Sequence, residues 1–128
     1  MYTHICVGAK DLDESQKFYD ATLAPLGING AVQFSENGRI YNTDTGAFLV
    51  LKPANGEEAT YANGGTIGFA APDAAAVDAA YAGGIANGGA DEGEPGKRPN
   101  APGNAYGAYL RDPLGNKISF YCQLPEGE

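Results

Sequence analysis

The sequence predicts an α+β domain built from two βαβββ modules, and three observations lead to this class. A strand-like run, a helical run and three more strand-like runs follow one another twice along the 128 residues. A stretch with little periodicity, residues 53–65, lies between the two rounds. The 19 glycines and 8 prolines, about a fifth of the chain, suit the many turns of such an order. One unit alone is too small to bury its sheet, so we expect two units side by side.

The two units are expected to form one curved mixed sheet, with the helices on its outer face and a cleft inside. We predict a single domain over residues 1–128, with module one at about 1–54 and module two at about 65–125. The linker is placed at about 55–64.

The first module opens with a strand over Tyr2–Val7, where β-branched residues alternate with others. Asp11 and Glu14 have the spacing of a capping box and predict a helix start. That helix should stop near Ala24, because the following Pro25 disfavours helical geometry in the residue before it. Three strands separated by Gly-containing turns come next, at residues 28–34, 39–43 and 47–52.

The second module repeats this order. A strand is predicted at residues 66–70, followed by Asp73 as a helix cap and an Ala-rich helix over 74–85. The helix ends at a Gly-rich turn, and three strands follow, at residues 90–94, 105–111 and 117–123.

Alternation along the strands divides the side chains between two faces. Ile5 and Val7 are expected to face the first helix, which sends His4 and Cys6 to the cleft. In module two, Ile67 and Phe69 take the helix side. By the same parity, the predicted cleft face carries Thr66, Gly68, Ser119 and Tyr121, while Cys122 lies on the helix side.

Charge and composition exclude several classes of function. The formal net charge of -8 argues against binding to nucleic acid or to an anionic membrane surface. No apolar run approaches the ~20 residues of a membrane span, and no export signal is apparent. We therefore expect a cytoplasmic protein whose two cysteines are reduced and buried.

The candidate site residues lie on the predicted cleft face or near its mouth. His4, the only histidine, is the candidate catalytic base, with an unperturbed pKa near ~6.5; a hydrogen-bonded polar residue is the alternative. Tyr106 and Tyr109 point to opposite faces, so one of them should reach the cleft. The other ligand-binding candidates are Thr66, Ser119 and Tyr121. The tyrosines could equally fill the core.

Lys97 and Arg98 precede a loop, residues 99–103, that is a candidate lid over the cleft. A local pair of cations in an acidic chain could attract an anionic ligand. A solvated surface pair is the alternative.

Three stretches resemble the glyoxalase, bleomycin-resistance and extradiol dioxygenase superfamily, also called vicinal oxygen chelate proteins. Residues 4–19 are similar to its opening motif, residues 66–73 to its second-module strand and cap, and residues 107–118 to its closing hairpin. They read HICVGAKDLDESQKFY, TIGFAAPD and GAYLRDPLGNKI. The resemblance implies the two-module fold over nearly the whole chain.

The resemblance also implies a divalent metal held by four inward residues, and this chain departs from that pattern. Only His4 matches a metal ligand. The other positions fall within residues 49–51 (Leu-Val-Leu), on Thr66 and on Ser119, so no metal or other cofactor is predicted.

The sequence therefore predicts a small-molecule-binding protein of this superfamily with a degenerate metal site, or a metal-independent enzyme that uses His4. Pairing of one-domain members, implied by the resemblance, adds a homodimer to the prediction. One alternative is a metal-dependent lyase or dioxygenase with non-standard ligands, drawn from Glu36, Glu57, Glu58 and Asp91. Another is an assembly subunit whose site forms at the dimer interface.

Overall fold

The computed structural model describes residues 1–128 and has the predicted order of elements, repeated twice. The first module comprises β1 (His4–Gly8), α1 (Leu12–Leu23), β2 (Val32–Ser35), β3 (Gly38–Thr43) and β4 (Gly46–Leu51). The second comprises β5 (Ile67–Ala70), α2 (Ala74–Ala86), β6 (Ala90–Lys97), β7 (Ala105–Arg111) and β8 (Lys117–Gln123). The α+β class with two βαβββ modules is confirmed.

Both helices begin at the predicted caps. The Asp11 side chain accepts a hydrogen bond from the Glu14 backbone N–H at 3.1 Å. The Asp73 side chain accepts one from the Ala76 N–H at 2.9 Å. Each bond satisfies one backbone donor that the first turn of a helix leaves free.

Two strands differ from the sequence prediction by more than two residues at one end. A single 3-10 turn over Ala24–Leu26 follows α1, and the Ile28 N–H then bonds back to the Leu23 carbonyl. These local bonds occupy the backbone, so β2 begins at Val32 instead of residue 28. β6 is longer than predicted and reaches Lys97.

The eight strands form two four-stranded mixed sheets. Sheet one has the order β1-β4-β3-β2 and sheet two the order β5-β8-β7-β6. β1 pairs in parallel with β4 and β5 in parallel with β8, while the other pairs are antiparallel. No backbone ladder joins β1 to β5, so the expected single sheet is interrupted there. We call this boundary the seam.

Both helices pack on the same side of the two sheets and share one hydrophobic core. The core joins α1, α2 and the inner faces of both sheets; its largest members include Phe18, Tyr19, Tyr41, Phe48, Leu110, Ile118 and Phe120. Neither α1 nor α2 has the length and apolar character of a membrane-spanning helix. The opposite side of the sheets, which we call the open face, carries no helix.

The predicted alternation is visible at the ends of both sheets. Val7, Ile67 and Phe69 pack against the core, whereas His4 and Thr66 are exposed. Alternate side chains along each strand thus point to opposite sides of the sheet, one set toward the helices and the other toward the open face.

The two cysteines are free, and only one of them is buried. Cys122 belongs to the core, as the parity argument predicts. The prediction that Cys6 is also buried is wrong, because nothing packs over the open face of β1 at this position.

Candidate functional site

Two tyrosines meet on the open face of sheet two. Tyr109 on β7 and Tyr121 on β8 have hydroxyl oxygens 2.7 Å apart. Their ring centroids are 5.7 Å apart, and the rings are nearly perpendicular, at 79°. Gly107 pairs with Tyr121 across the ladder, and a Cβ there would lie 2.8 Å from the ring. The ring therefore lies directly on the backbone of β7, which only glycine permits.

Two cations flank the ring of Tyr109. The Arg98 guanidinium lies 5.8 Å from the ring centroid, and the Lys117 Nζ lies 5.1 Å from it. A Cβ at Gly93 or Gly96 would approach the guanidinium nitrogens at 3.2 and 3.4 Å. These glycines on β6 therefore leave room for Arg98 to lie against the strand.

Neither cation has a carboxylate partner. The Arg98 guanidinium donates to the backbone carbonyls of Glu94 and Lys97. The two salt bridges in the chain lie elsewhere, between Arg39 and Asp13 and between Arg111 and Glu92. We call Arg98, Tyr109, Lys117 and Tyr121 the tyrosine–cation cluster.

The Tyr121 phenol of the cluster is neutral at physiological pH. Burial, together with the hydrogen bond to Tyr109, raises the pKa of Tyr121 to about 12, although the nearby Arg98 acts in the opposite direction. A phenol has one proton to donate. Because one hydroxyl donates to the other, the second proton stays available for an acceptor on a ligand.

His4 lies apart from this cluster, at the start of β1. Its Nδ1 is 2.8 Å from the Thr3 hydroxyl oxygen, and the imidazole ring forms no other hydrogen bond within the chain. The residue is exposed and lies at the rim of a hollow of about 550 Å³. It is thus open to solvent as well as to any molecule in that hollow.

The other predicted residues are distributed over both faces. Thr66 is exposed beside β5 and lines a smaller hollow of about 290 Å³ together with Cys6 and Lys117. Ser119 is on the open face but only 3% exposed, beneath its neighbours. It pairs with Gly68, where a Cβ would lie 3.0 Å from the Ser119 Oγ.

The structure does not bring Tyr106 or Lys97 to the cluster. The Tyr106 hydroxyl donates to Asp78 on α2 at 2.6 Å, so this ring lies on the helix side. Alternation allowed only one of the two β7 tyrosines to reach the open face, and that residue is Tyr109. The Lys97 ammonium donates to the carbonyl of Glu128 at the end of the chain.

Sequence reasoning missed Lys117 and the glycines beneath the side chains. Lys117 has the same parity as Ser119 and Tyr121 on β8, and this signal could have found it. The glycines of β6 could not be assigned to this face, because two register shifts interrupt its pairing with β7.

The four positions that the metalloenzyme pattern implies do not fit a divalent ion. They are occupied by His4, by the Leu-Val-Leu run of residues 49–51 on β4, by Thr66 and by the covered Ser119. No three His, Cys, Asp or Glu side chains converge anywhere in the structure. Imidazole and carboxylate donors are what such ions require, and only one of the four positions supplies one.

The alternative ligands are also dispersed. Glu36 lies in the turn between β2 and β3, and Glu57 and Glu58 lie in the connection between the sheets. The Asp91 carboxylate accepts hydrogen bonds from the Tyr81 hydroxyl and the Gly93 N–H, both at 2.9 Å.

Fold and site together define a two-module α+β domain with an open sheet face that carries paired phenols and unpaired cations. The sequence family model of the Glyoxalase/Bleomycin resistance protein/Dioxygenase superfamily matches residues 2–120 of the chain. The chain therefore belongs to this superfamily.

Solved structures agree with this assignment. The chain is 45% identical to a glyoxalase/bleomycin resistance protein from Albidiferax ferrireducens T118, over 98% of this chain and 99% of that one, with a TM-score of 0.89. A lactoylglutathione lyase from Agrobacterium tumefaciens is 25% identical, over 94% and 92% of the two chains, with a TM-score of 0.65. A glyoxalase-related enzyme from Fulvimarina pelagi shares the fold at 17% identity, over 94% and 86%, with a TM-score of 0.75. Comparison with curated proteins finds no match.

Proposed function

We propose that the protein binds a small anionic organic molecule on the open face of sheet two, without a divalent metal. The observation that carries this proposal is the tyrosine–cation cluster. Arg98 and Lys117 flank a hydrogen-bonded pair of phenols, and neither cation has a carboxylate partner.

Charge supports an anionic ligand. In a chain of net charge -8, two neighbouring cations without counter-ions make a local region of positive potential. A guanidinium fork and a phenol proton both suit the oxygens of a carboxylate or phosphonate. The half-buried tyrosine rings offer an apolar surface to the rest of the molecule.

Binding at this cluster requires neither a metal nor chemistry at His4. Binding without turnover is therefore the function we propose, and the weak donor set at the metal positions supports it. Catalysis by His4 remains a separate hypothesis, because His4 has no contact with the cluster.

The test is a calorimetric titration with benzoate, and with benzamide as its neutral counterpart. We expect benzoate to bind more tightly and its affinity to fall with added salt. Replacement of Arg98 or Lys117 by Gln should weaken benzoate binding about tenfold. Lys17→Gln removes an equal charge from the exposed side of α1 and should leave the affinity unchanged. Equal binding of benzoate and benzamide, or equal loss in the control, would overturn the proposal.

A metal titration tests the second half of the proposal. Zinc, nickel and manganese should give no saturable one-to-one binding and no thermal shift. A sub-micromolar site that His4→Ala abolishes would instead support the metal-dependent lyase or dioxygenase.

We also propose a homodimer in which a second copy pairs with the β2 edge of sheet one. β2 is the edge strand of this sheet, and its Val32 and Phe34 are 57% and 51% exposed. Exposed apolar residues on an edge strand favour pairing with another chain. Light scattering should give a dimer mass, and Phe34→Lys should lower it, whereas Ala75→Lys on the exposed side of α2 should not. A monomeric mass for the unmodified protein would contradict this.

A further inference from the structure

A hollow of about 550 Å³ lies at the seam, separate from the tyrosine–cation cluster. Tyr41 and Phe48 of sheet one and Ile67 and Phe69 of sheet two line its inner part. Ile28, which follows the 3-10 turn, closes one side. We call this space the seam hollow. It exists because no hydrogen-bonded ladder brings β1 and β5 together.

The lining of the seam hollow is mostly apolar and aromatic. Of its 19 lining residues, 11 are hydrophobic. The Phe48 and Phe69 rings meet edge to face, with centroids 5.1 Å apart and an interplanar angle of 86°. Ile28, Ile67 and Phe69 are only half-buried and lie open to the hollow. A volume of this size, with apolar walls, is typical of a small-molecule site.

The rim of the hollow is polar and carries both signs of charge, since Met1 with its amino group lines it too, without forming an ion pair with Asp44. It includes His4 and the β3–β4 turn with Thr43, Asp44 and Thr45. The Thr43 hydroxyl is engaged locally, donating to the Gly46 carbonyl at 2.9 Å. Asp44 has no salt bridge and is the only carboxylate on the rim. An unpaired carboxylate at the mouth disfavours an anionic ligand and favours a cation or a neutral hydrogen-bond donor.

We propose that the seam hollow is a second small-molecule site, which takes an aromatic amine. The aromatic part lies against Phe48 and Phe69, and the ammonium group points to Asp44 on the rim. This site differs from the cluster on sheet two in location, in wall chemistry and in the sign of charge that it favours. A ligand there touches both modules at once.

The experiment uses tryptamine as the probe. The chain contains no Trp, so the indole fluorescence of the probe is observed without a tryptophan background. We expect saturable binding with a blue shift, since the indole leaves water. Asp44→Asn should weaken the binding about tenfold. Ile28→Phe, which places a larger side chain in the hollow, should weaken it at least as much.

Two controls separate this site from other effects. Glu36→Gln removes an equal charge from the exposed turn between β2 and β3 and should leave tryptamine binding unchanged. Arg98→Gln should also leave it unchanged, which keeps the result independent of the proposed function. Absence of saturable binding, or equal weakening by Asp44→Asn and Glu36→Gln, would overturn the proposal.

NMR spectra of the isoleucine methyl groups in the unmodified protein provide a second readout, which does not require any variant to fold. The methyl signals of Ile28 and Ile67 should shift on adding tryptamine, while that of Ile85, on α2 and outside the hollow, should not. A shift at Ile85 without one at Ile28 and Ile67 would contradict the site.

Discussion

The Tyr19 hydroxyl donates a hydrogen bond of 2.6 Å to the Asp112 carboxylate, and the two residues are 93 positions apart in the chain. Tyr19 lies on α1 of module one, and Asp112 opens the turn between β7 and β8 of module two. Both side chains are buried, at 0% and 3% exposed. The bond therefore connects the two modules inside the protein.

The Asp112 carboxylate also organises its own turn. One oxygen accepts from the backbone N–H groups of Leu114, Gly115 and Asn116 at 2.9–3.0 Å. The other accepts from Tyr19 and, at 2.9 Å, from the Asn116 side chain, which in turn donates to the Gly8 carbonyl at 3.0 Å. The turn is thus fastened to both α1 and β1. This buried network satisfies the carboxylate without any cation.

Tyr19→Phe should destabilise the protein by about 1–3 kcal/mol, because the buried carboxylate loses one donor and gains no replacement. The free energy of unfolding in urea measures the loss. Tyr2→Phe is the matched control, since Tyr2 is 67% exposed and should change stability little. Equal stability of the two variants would show that Asp112 finds another partner.

Ile118→Ala should cost about 2–5 kcal/mol, as expected for a fully buried aliphatic side chain. The predicted alternation places Ile67 on the same helix side as the core. Ile67 is only half-buried and lines the seam hollow, so Ile67→Ala should cost less. Chemical denaturation of the two variants side by side checks the order, and a larger loss for Ile67→Ala would contradict it.

Thiol labelling of the native protein should proceed in two phases. Cys6 is exposed and should react quickly. Cys122 should react slowly, because it is buried and because burial, with Asp73 and Asp78 nearby, raises the pKa of its thiol. Cys6→Ser should remove the fast phase alone. Two slow phases in the unmodified protein would contradict the exposure of Cys6.

Alkaline pH should destabilise the fold through its tyrosines. The pKa of Tyr121 is raised from 10.0 to about 12, and burial raises those of Tyr19 and Tyr41 as well. Between these pH values the folded protein holds protons that the unfolded chain has released, so stability falls as pH rises. Below pH 10.0, the pKa of a tyrosine in the unfolded chain, the protonated phenols contribute their full stabilisation. Tyr121→Phe should flatten the decline between pH 10.0 and about 12, and an unchanged slope would contradict the raised pKa.

Local signals predicted the elements that local bonds determine. The caps at Asp11 and Asp73 were visible because a side chain and a backbone N–H three residues later meet in every such turn. The end of α1 also lies where it was predicted, but the predicted cause is wrong. Ala24 keeps helical angles (φ -57°, ψ -44°), and the chain continues through Pro25 in a 3-10 turn that Gly27 ends at φ 83°. The resemblance to the superfamily then gave the arrangement of the two modules.

The rest depended on contacts between distant residues. Alternation showed that Tyr106 and Tyr109 lie on opposite faces, but only the position of Asp78 on α2 shows which one turns away from the open face. The role of Asp112 was hidden in the same way. Its spacing predicted a turn, whereas its main partner, Tyr19, lies on a helix of the other module.

The glycines under the tyrosine–cation cluster mean that the floor of the proposed binding surface is backbone, on which the side chains lie directly. A single added methyl group at Gly107 would meet the Tyr121 ring at 2.8 Å and push the phenol away from its partner. Relatives with alanine or serine at this position would therefore offer a differently shaped floor, although the four side chains of the cluster are the same. Ligand preference among such relatives can thus diverge when a strand glycine is replaced by alanine or serine, without any change in the charged side chains.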